Sequence, residues 1–80
     1  LSHINKYTSS PIIINAANEI LVDYFLAKKI SFLAIYKTIL AVINDRNFKK
    51  YAIRSPINIT QIEKIDTWAR KTTLEKIRLI

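Results

Sequence analysis

Cations interleaved with aromatic rings make residues 46–54 the stretch of this chain best suited to binding chemistry. Cationic side chains neutralise phosphates and rings stack on bases, which is how proteins bind single-stranded nucleic acid. The side chains concerned are Arg46, Phe48, Lys49, Lys50, Tyr51 and Arg54. We favour the alternative that the rings anchor this stretch on a helical core while the cations stay in water. Nucleic acid binding is therefore the weaker prediction.

Acid–base and metal chemistry have fewer candidates. Glu19 and Asp23 are four residues apart, a spacing that places two carboxylates on one face of a helix. Without a histidine beside them, they indicate an exposed acidic face, and Glu19 lies early enough in its predicted helix to interact with the helix dipole. His3, the only histidine, has no second ligand nearby in the sequence and is predicted to lie at the surface.

We predict no catalytic, cofactor-binding or metal-binding residue among the 80 residues. The chain has neither cysteine nor glycine, so it offers no thiolate metal site and no glycine-rich phosphate loop. No apolar run approaches the roughly 20 residues that span a bilayer, which predicts no membrane partner. The net charge of +7 raises affinity for polyanions. We attribute it mainly to an A/T-rich coding sequence, because Ile, Lys and Asn are abundant.

The apolar spacing predicts an all-α fold, a small up-down bundle of three main helices in one domain over residues 1–80. Residues 1–14 are predicted to be an entry segment. Residues 1–7 are the tail of a truncated first bundle helix, a helix-breaking and capping cluster follows at 8–11, and residues 12–14 lead into the next helix in an extended conformation. Residues 46–59 are predicted to be a loop, with one helical turn or a short extended piece as alternatives. Because the chain begins with Leu1 rather than Met, we expect it to start inside a longer polypeptide.

The first predicted helix covers residues 15–28, with Asn15 as its N-cap and Lys28 and Lys29 at its carboxyl end. Since the chain has no glycine, another residue must take the left-handed conformation that usually ends a helix, at some energetic cost. The predicted apolar stripe comprises Ala17, Ile20, Leu21, Tyr24 and Phe25.

The second predicted helix starts after Ser31 as N-cap and ends near Asn44 or Asn47. Its predicted buried face comprises Phe32, Ile35, Tyr36, Ile39, Leu40 and Ile43. A connection of only two or three residues to the first helix predicts a close antiparallel pair. The pair is a poor candidate for helix-turn-helix recognition of DNA, because the second helix carries only Lys37 as a cation and is otherwise apolar.

The third predicted helix starts at Thr60, which has the capping-box spacing to Glu63. Its apolar face continues to the end of the chain, and Trp68 lies beside that face and is predicted to be half-buried. The residues assigned to the face are Ile62, Ile65, Ala69, Thr72 or Thr73, and Ile77.

Three motifs resemble the carboxy-terminal domain of deoxyxylulose-phosphate reductoisomerases. They are Pro-Ile-Ile-Ile-Asn-Ala-Ala-Asn-Glu-Ile at 11–20, Phe-Leu-Ala-Lys-Lys-Ile-Ser-Phe-Leu-Ala-Ile at 25–35, and Asp-Thr-Trp-Ala-Arg at 66–70. The matching register covers about residues 10 to 72. The chain departs from the family where Lys29 replaces a glycine and where Ala34-Ile35-Tyr36 replaces Asp-Ile-Pro, so the second helix must start on Ser31.

The resemblance implies a non-catalytic structural domain, or a remnant of one, of an NADPH- and divalent-metal-dependent enzyme of non-mevalonate isoprenoid biosynthesis. The family's catalytic residues lie in two earlier domains, so none is assigned here. The implied partners are those domains, with a homodimer through exposed apolar helix faces as a further expectation, in the cytoplasm or a plastid-type organelle. The alternative is a small basic helical module that binds nucleic acid or an acidic protein.

Overall fold

A computed structural model describes residues 9–52 and 58–79, and within them the fold is all-α, as predicted. The three main helices are α1 (Ser10–Leu26), α2 (Phe32–Ile43) and α4 (Ile59–Arg78), and a short helix α3 (Phe48–Ala52) lies between the last two. Helix α4 packs against both α1 and α2, which also contact each other. The predictions for His3 and Arg54 lie outside the described residues.

Helix α1 begins five residues earlier than predicted, so the extended entry predicted for residues 12–14 is wrong. Pro11 lies in the first turn, where its missing N–H and fixed φ suit a helix start. Of the cluster at 8–11, residues 9–11 are described: Ser9 rather than Asn15 is the N-cap, which confirms the capping part of the prediction, and the helix starts there. The backbone N–H of Ser9 donates to the carbonyl of Ala52 at 2.8 Å, which ties this start to the end of α3.

The end of α1 confirms that a residue other than glycine ends the helix. Lys28 adopts φ 62°. Its N–H donates to Phe25 O and the Lys29 N–H donates to Tyr24 O, both at 2.9 Å, which is the Schellman pattern that normally ends in glycine. The Lys29 ammonium also lies 5.5 Å from the centroid of the Tyr24 ring. The left-handed position is thus 28, one residue before the position at which the family's glycine is missing.

Replacing Lys28 with glycine is expected to stabilise the fold by about 1 kcal/mol, because glycine takes the left-handed conformation without a Cβ clash. Chemical denaturation followed by circular dichroism measures the change. Lys29→Gly is the matched control: it lies next to Lys28 but has no positive φ, so it should not stabilise. Equal effects of the two glycines would contradict the assignment of the strain to Lys28.

Helix α2 begins as predicted but buries a different face. Ser31 is the N-cap, and its hydroxyl accepts a hydrogen bond from the Ala34 N–H at 3.2 Å. The buried positions are Ala34, Thr38 and Val42. Of the predicted face, Phe32, Tyr36 and Leu40 are exposed, and Ile35, Ile39 and Ile43 are half-buried. Because this helix is apolar around most of its circumference, spacing alone cannot select the buried side, and the small side chains face its neighbours.

The connection from α2 to α3 is organised by Asp45. Helix α2 ends at Ile43 with Asn44 as its C-cap, which confirms the earlier of the two predicted ends. The Asp45 carboxylate accepts from the Asn47 N–H at 2.8 Å, and its carbonyl accepts from the Phe48 N–H at 3.0 Å. Helix α3 is the helical turn allowed in the predicted loop, and its Phe48 is only 2% exposed.

Helix α4 is capped differently from the prediction. Asn58 is the N-cap, and its side-chain oxygen accepts from the Gln61 N–H at 3.0 Å. The Thr60–Glu63 capping box is therefore wrong, since Thr60 already lies inside the helix. The buried face is confirmed at Ile65, Ala69, Thr72 and Thr73, whereas Ile77 is half-buried and Ile62 is exposed.

All four helices contribute to the core. Its buried members are Ile13, Ala16, Val42, Phe48, Ala52, Ile65 and Ala69. Trp68 packs against this cluster and is half-buried, as predicted. Phe48 is the largest of the fully buried side chains, so the short helix α3 fills the largest single volume in the core.

Candidate functional site

The first and third motifs of the sequence meet at the junction of α1 and α4. Ala16 and Ala17 of the first motif are 0% and 1% exposed, and Ala69 of the third is 0% exposed. Ala16 and Ala69 belong to the same core cluster. Methyl side chains let two helix backbones approach closely, so the small residues of both motifs serve one helix–helix contact.

Polar residues of the same motifs form a network over this contact. Arg70 donates through Nε to Asp66 at 2.8 Å and through Nη2 to Glu19 at 3.2 Å. Asn15 donates to the same Glu19 oxygen at 3.2 Å. The hydrogen bond to Asp66 raises the pKa of the Arg70 guanidinium above its ordinary value; burial opposes this, and the charges of Asp66 and Glu19 add to it.

This network corrects the roles predicted for two residues. Asn15 lies inside α1 and is not its N-cap, and Glu19 lies in the middle of the helix and pairs with Arg70 rather than with the helix dipole. Both Glu19 and Asp23 are exposed, as predicted. The four-residue spacing of Asp66 and Arg70 is typical of an ion pair along a helix. No pattern in the sequence indicates the hydrogen bond from Arg70 to Glu19.

The rings of the 46–54 stretch are engaged within the protein. Phe48 is in the core, and Tyr51 stacks on Trp68 with ring centroids 4.8 Å apart and an interplanar angle of 14°. The Lys50 ammonium lies 5.8 Å from the centroid of the Tyr51 ring. Lys49 and Lys50 are exposed, as is Arg46. This placement matches the anchoring interpretation and leaves single-stranded nucleic acid binding without support.

A second ion pair fixes the end of α4 to the connection after α2. Lys76 Nζ lies 2.9 Å from Asp45 Oδ2, with side chains 22% and 17% exposed. Burial raises the pKa of the Asp45 carboxyl, but the hydrogen bonds from Lys76 and from the Asn47 N–H, with the charges of Lys76 and Arg46, outweigh it. The net pKa of Asp45 is below its ordinary value.

Asp45 is therefore expected to stabilise the fold by about 1 kcal/mol at neutral pH. Because its folded-state pKa is depressed, this contribution is present above the unfolded-state pKa and is lost as pH falls through the folded-state value. The difference in unfolding free energy between the natural chain and Asp45→Asn should shrink as the pH falls below about 5. Asn retains an oxygen for the Asn47 N–H, so the comparison isolates the charge.

Asp23→Asn is the control for this acid titration, because Asp23 is exposed and makes no ion pair among residues 9–52 and 58–79. Its substitution should change the unfolding free energy at neutral pH much less than Asp45→Asn does. A pH-independent difference between the natural chain and Asp45→Asn would contradict the assigned role of the Asp45–Lys76 pair.

Three of the carboxylates in the described part of the chain are already paired with cations. Glu19 and Asp66 share Arg70, and Asp45 is paired with Lys76. No group of three or more His, Cys, Asp or Glu side chains comes together within the two described ranges. The same ranges contain no helix long and apolar enough to cross a membrane.

Helices α1 and α2 present large apolar side chains to solvent, and we call this set the apolar face. Its members are Val22, Phe25, Leu26, Phe32, Leu33, Tyr36 and Leu40. The rings of Phe25 and Phe32 meet edge to face with centroids 5.8 Å apart, so the contributions of the two helices are joined. Phe32 is 75% exposed and Leu26 is 70% exposed. Exposed apolar surface gathered in one place is typical of an interaction site.

A sequence model of the family described as "DXP reductoisomerase C-terminal domain" matches residues 2–72. The chain belongs to this family. The match includes all three motifs, so the resemblance inferred from them is confirmed. Two of the three motifs, the first and the third, contribute residues to the contact between α1 and α4.

Curated relatives of this DXP reductoisomerase C-terminal domain carry the name 1-deoxy-D-xylulose 5-phosphate reductoisomerase. The relative from Thermodesulfovibrio yellowstonii is 34% identical over 74 residues, covering 92% of the chain and 18% of the relative. The Ehrlichia canis relative is 41% identical over 66 residues, covering 82% and 16%. The chain thus spans less than a fifth of the length of these relatives. No solved structure matches it significantly.

Proposed function

We propose that this chain is the non-catalytic structural part of a DXP reductoisomerase and forms a single helical domain over residues 1–80. The observation that carries the proposal is the use made of the identifying motifs. Ala16, Ala69, Glu19 and Arg70 are committed to packing α1 against α4. Since these side chains hold two helices of the domain together, a structural role accounts for them without any part in the reaction.

The apolar face is the surface through which this domain contacts the remaining domains of its polypeptide. Burying it stabilises that contact at about 25 cal/mol for each Å² removed from water. When the chain is produced alone, the same face pairs with a second copy, which gives a homodimer. Both associations place Phe32 and Leu33 out of water.

The reaction of the whole enzyme follows from the name of its relatives. It is the reductive rearrangement of 1-deoxy-D-xylulose 5-phosphate, with NADPH and a divalent metal as the family resemblance implies. No residue of this chain is assigned to binding either group. The protein is placed in the cytoplasm, or in a plastid-type organelle if its source is eukaryotic.

A chimera tests this proposal: the chain replaces the matching segment of the Ehrlichia canis relative, and Phe32→Glu/Leu33→Glu is introduced on the apolar face. The double variant is expected to lower the thermal midpoint by about 5 °C or more, because two charges enter a buried contact. NADPH oxidation with the deoxyxylulose phosphate reports whether the chimera is assembled. Leu79→Glu, at a residue 79% exposed and outside the apolar face, is the control.

The proposal is wrong if the double variant and Leu79→Glu have the same thermal midpoint in an active chimera. Sedimentation of the isolated chain tests the homodimer separately. The natural chain is expected to dimerise at micromolar concentration, and the double variant is expected to stay monomeric. If the natural chain is monomeric, the homodimer is ruled out. The contact with the other domains is then tested by the chimera alone.

A further inference from the structure

Helix α4 carries an exposed stripe opposite its buried face, with residues alternately four and three positions apart. We call it the basic stripe; its members are Thr60, Lys64, Thr67, Lys71, Leu74 and Arg78. All six are exposed. The cations recur every seventh residue, which places them about 10 Å apart along the helix axis. This is the spacing of a helix seam that faces another helix.

Shallow grooves follow the basic stripe. One is lined by residues that include Lys64, Trp68 and Lys71, and another by residues that include Lys71, Leu74 and Arg78. Both grooves include Thr67 and Lys71, so they meet end to end. Together they follow α4 from Thr60 to Arg78.

The charges of the basic stripe are not balanced within the described ranges. Lys64, Lys71 and Arg78 make no ion pair there, whereas Arg70 and Lys76 on other sides of the same helix are both paired. Three unpaired cations along one side of α4 outnumber the two carboxylates beside them, Glu63 and Glu75, and so attract a complementary surface and steer its approach.

We propose that the basic stripe docks an acidic amphipathic helix of a separate protein, with carboxylates recurring at about seven-residue intervals. These carboxylates pair with Lys64, Lys71 and Arg78, while Leu74 and the ring of Trp68 contact apolar side chains between them. This interaction goes beyond the proposed structural role, and it uses a different surface from the apolar face.

Charge and spacing favour this partner over two others. A second copy of the chain carries the same net charge of +7 and repels the stripe. A nucleic acid strand in a duplex presents a negative phosphate about every 3.4 Å, so it has no neutral or cationic backbone position to set beside a carboxylate of the protein. Glu63 lines the first groove and Glu75 the second. Both would repel a phosphate backbone, but each can pair with a cation of a protein helix.

Fluorescence anisotropy with a labelled probe tests the proposal on the full chain. The probe is a helical peptide of about 21 residues with glutamate at every seventh position and leucines between. Binding is expected to weaken at least about tenfold in Lys64→Glu/Lys71→Glu/Arg78→Glu, because attraction becomes repulsion at each site. Lys28→Glu/Lys37→Glu/Lys49→Glu reverses the same number of exposed cations outside the stripe; it is the matched control and should bind much more tightly than the stripe variant.

Additional peptides and variants distinguish the possible outcomes. A peptide with lysines in place of the glutamates should bind the triple variant better than the natural chain. If circular dichroism shows the triple variant unfolded, the three glutamine substitutions at the same sites replace it, with a smaller loss expected. Equal binding of a scrambled peptide of the same composition would overturn the proposal. So would single-stranded oligouridylate that binds more tightly than the peptide and is lost in the same variant.

Discussion

Replacing Phe48 with alanine is expected to lower the free energy of unfolding by about 3–4 kcal/mol. Phe48 is 2% exposed and belongs to the cluster in which all four helices meet. Its removal takes away the transfer free energy of a phenyl ring and leaves a cavity that the surrounding helices fill only in part. The loss is a large part of the roughly 4–12 kcal/mol expected for 80 residues. Urea denaturation followed by circular dichroism measures it.

The matched control is Phe32→Ala, which removes the same ring from a side chain 75% exposed. It is expected to change the unfolding free energy of the monomer by less than about 1 kcal/mol. The comparison separates burial from residue type, and measurement at low protein concentration avoids association through the apolar face. Similar losses from the two substitutions would show that α3 does not fill the core.

Replacing Ala69 with leucine is expected to destabilise the fold by about 3 kcal/mol, at the upper end for overpacking. Ala69 is 0% exposed and shares the core cluster with Ala16 of the facing helix. Three added carbons would separate α1 from α4 and lengthen the bond between Arg70 and Glu19 across the same contact. Thermal and chemical denaturation measure the loss.

Thr67→Leu, two residues earlier on the exposed side of α4, is the control for helix propensity and added apolar volume. It should be neutral within about 0.5 kcal/mol. A loss of less than 1 kcal/mol in Ala69→Leu would contradict a close contact between α1 and α4. A loss that Ala16→Gly partly reverses would support it, because the smaller residue returns space to the leucine.

Local sequence patterns predicted that the three main helices exist more accurately than they predicted the first residue of each helix. Ser31 was recognised as a cap because its hydroxyl precedes an uninterrupted apolar helix, and it caps α2 in the structure. Asn58 was missed because Thr60 and Glu63 offered a more familiar pattern. The start of α1 was missed because three consecutive isoleucines suggest an extended chain, whereas burial of Ile13 against α3 and α4 favours the helix.

Contacts between helices could not be predicted from local sequence patterns. The buried side of α2 depends on which helices pack against it. Its contacts with α1 and α4 bury Ala34, Thr38 and Val42 rather than the larger side chains. The bonds from Arg70 to Glu19 and from Lys76 to Asp45 join residues far apart in sequence, so spacing could not reveal them. The motifs predicted membership of the family, and only the structure shows that two of them form one contact.

The bond between Glu19 and Arg70 spans 51 residues of sequence, and this has a kinetic consequence. Closing so long a loop costs conformational entropy before any contact within it compensates. Most helical bundles fold quickly through neighbouring contacts, but here the core residues Ala16 and Ala69 meet only after the intervening helices have been synthesised. During translation, the small-residue face of α1 therefore cannot pack against α4 until α4 has left the ribosome.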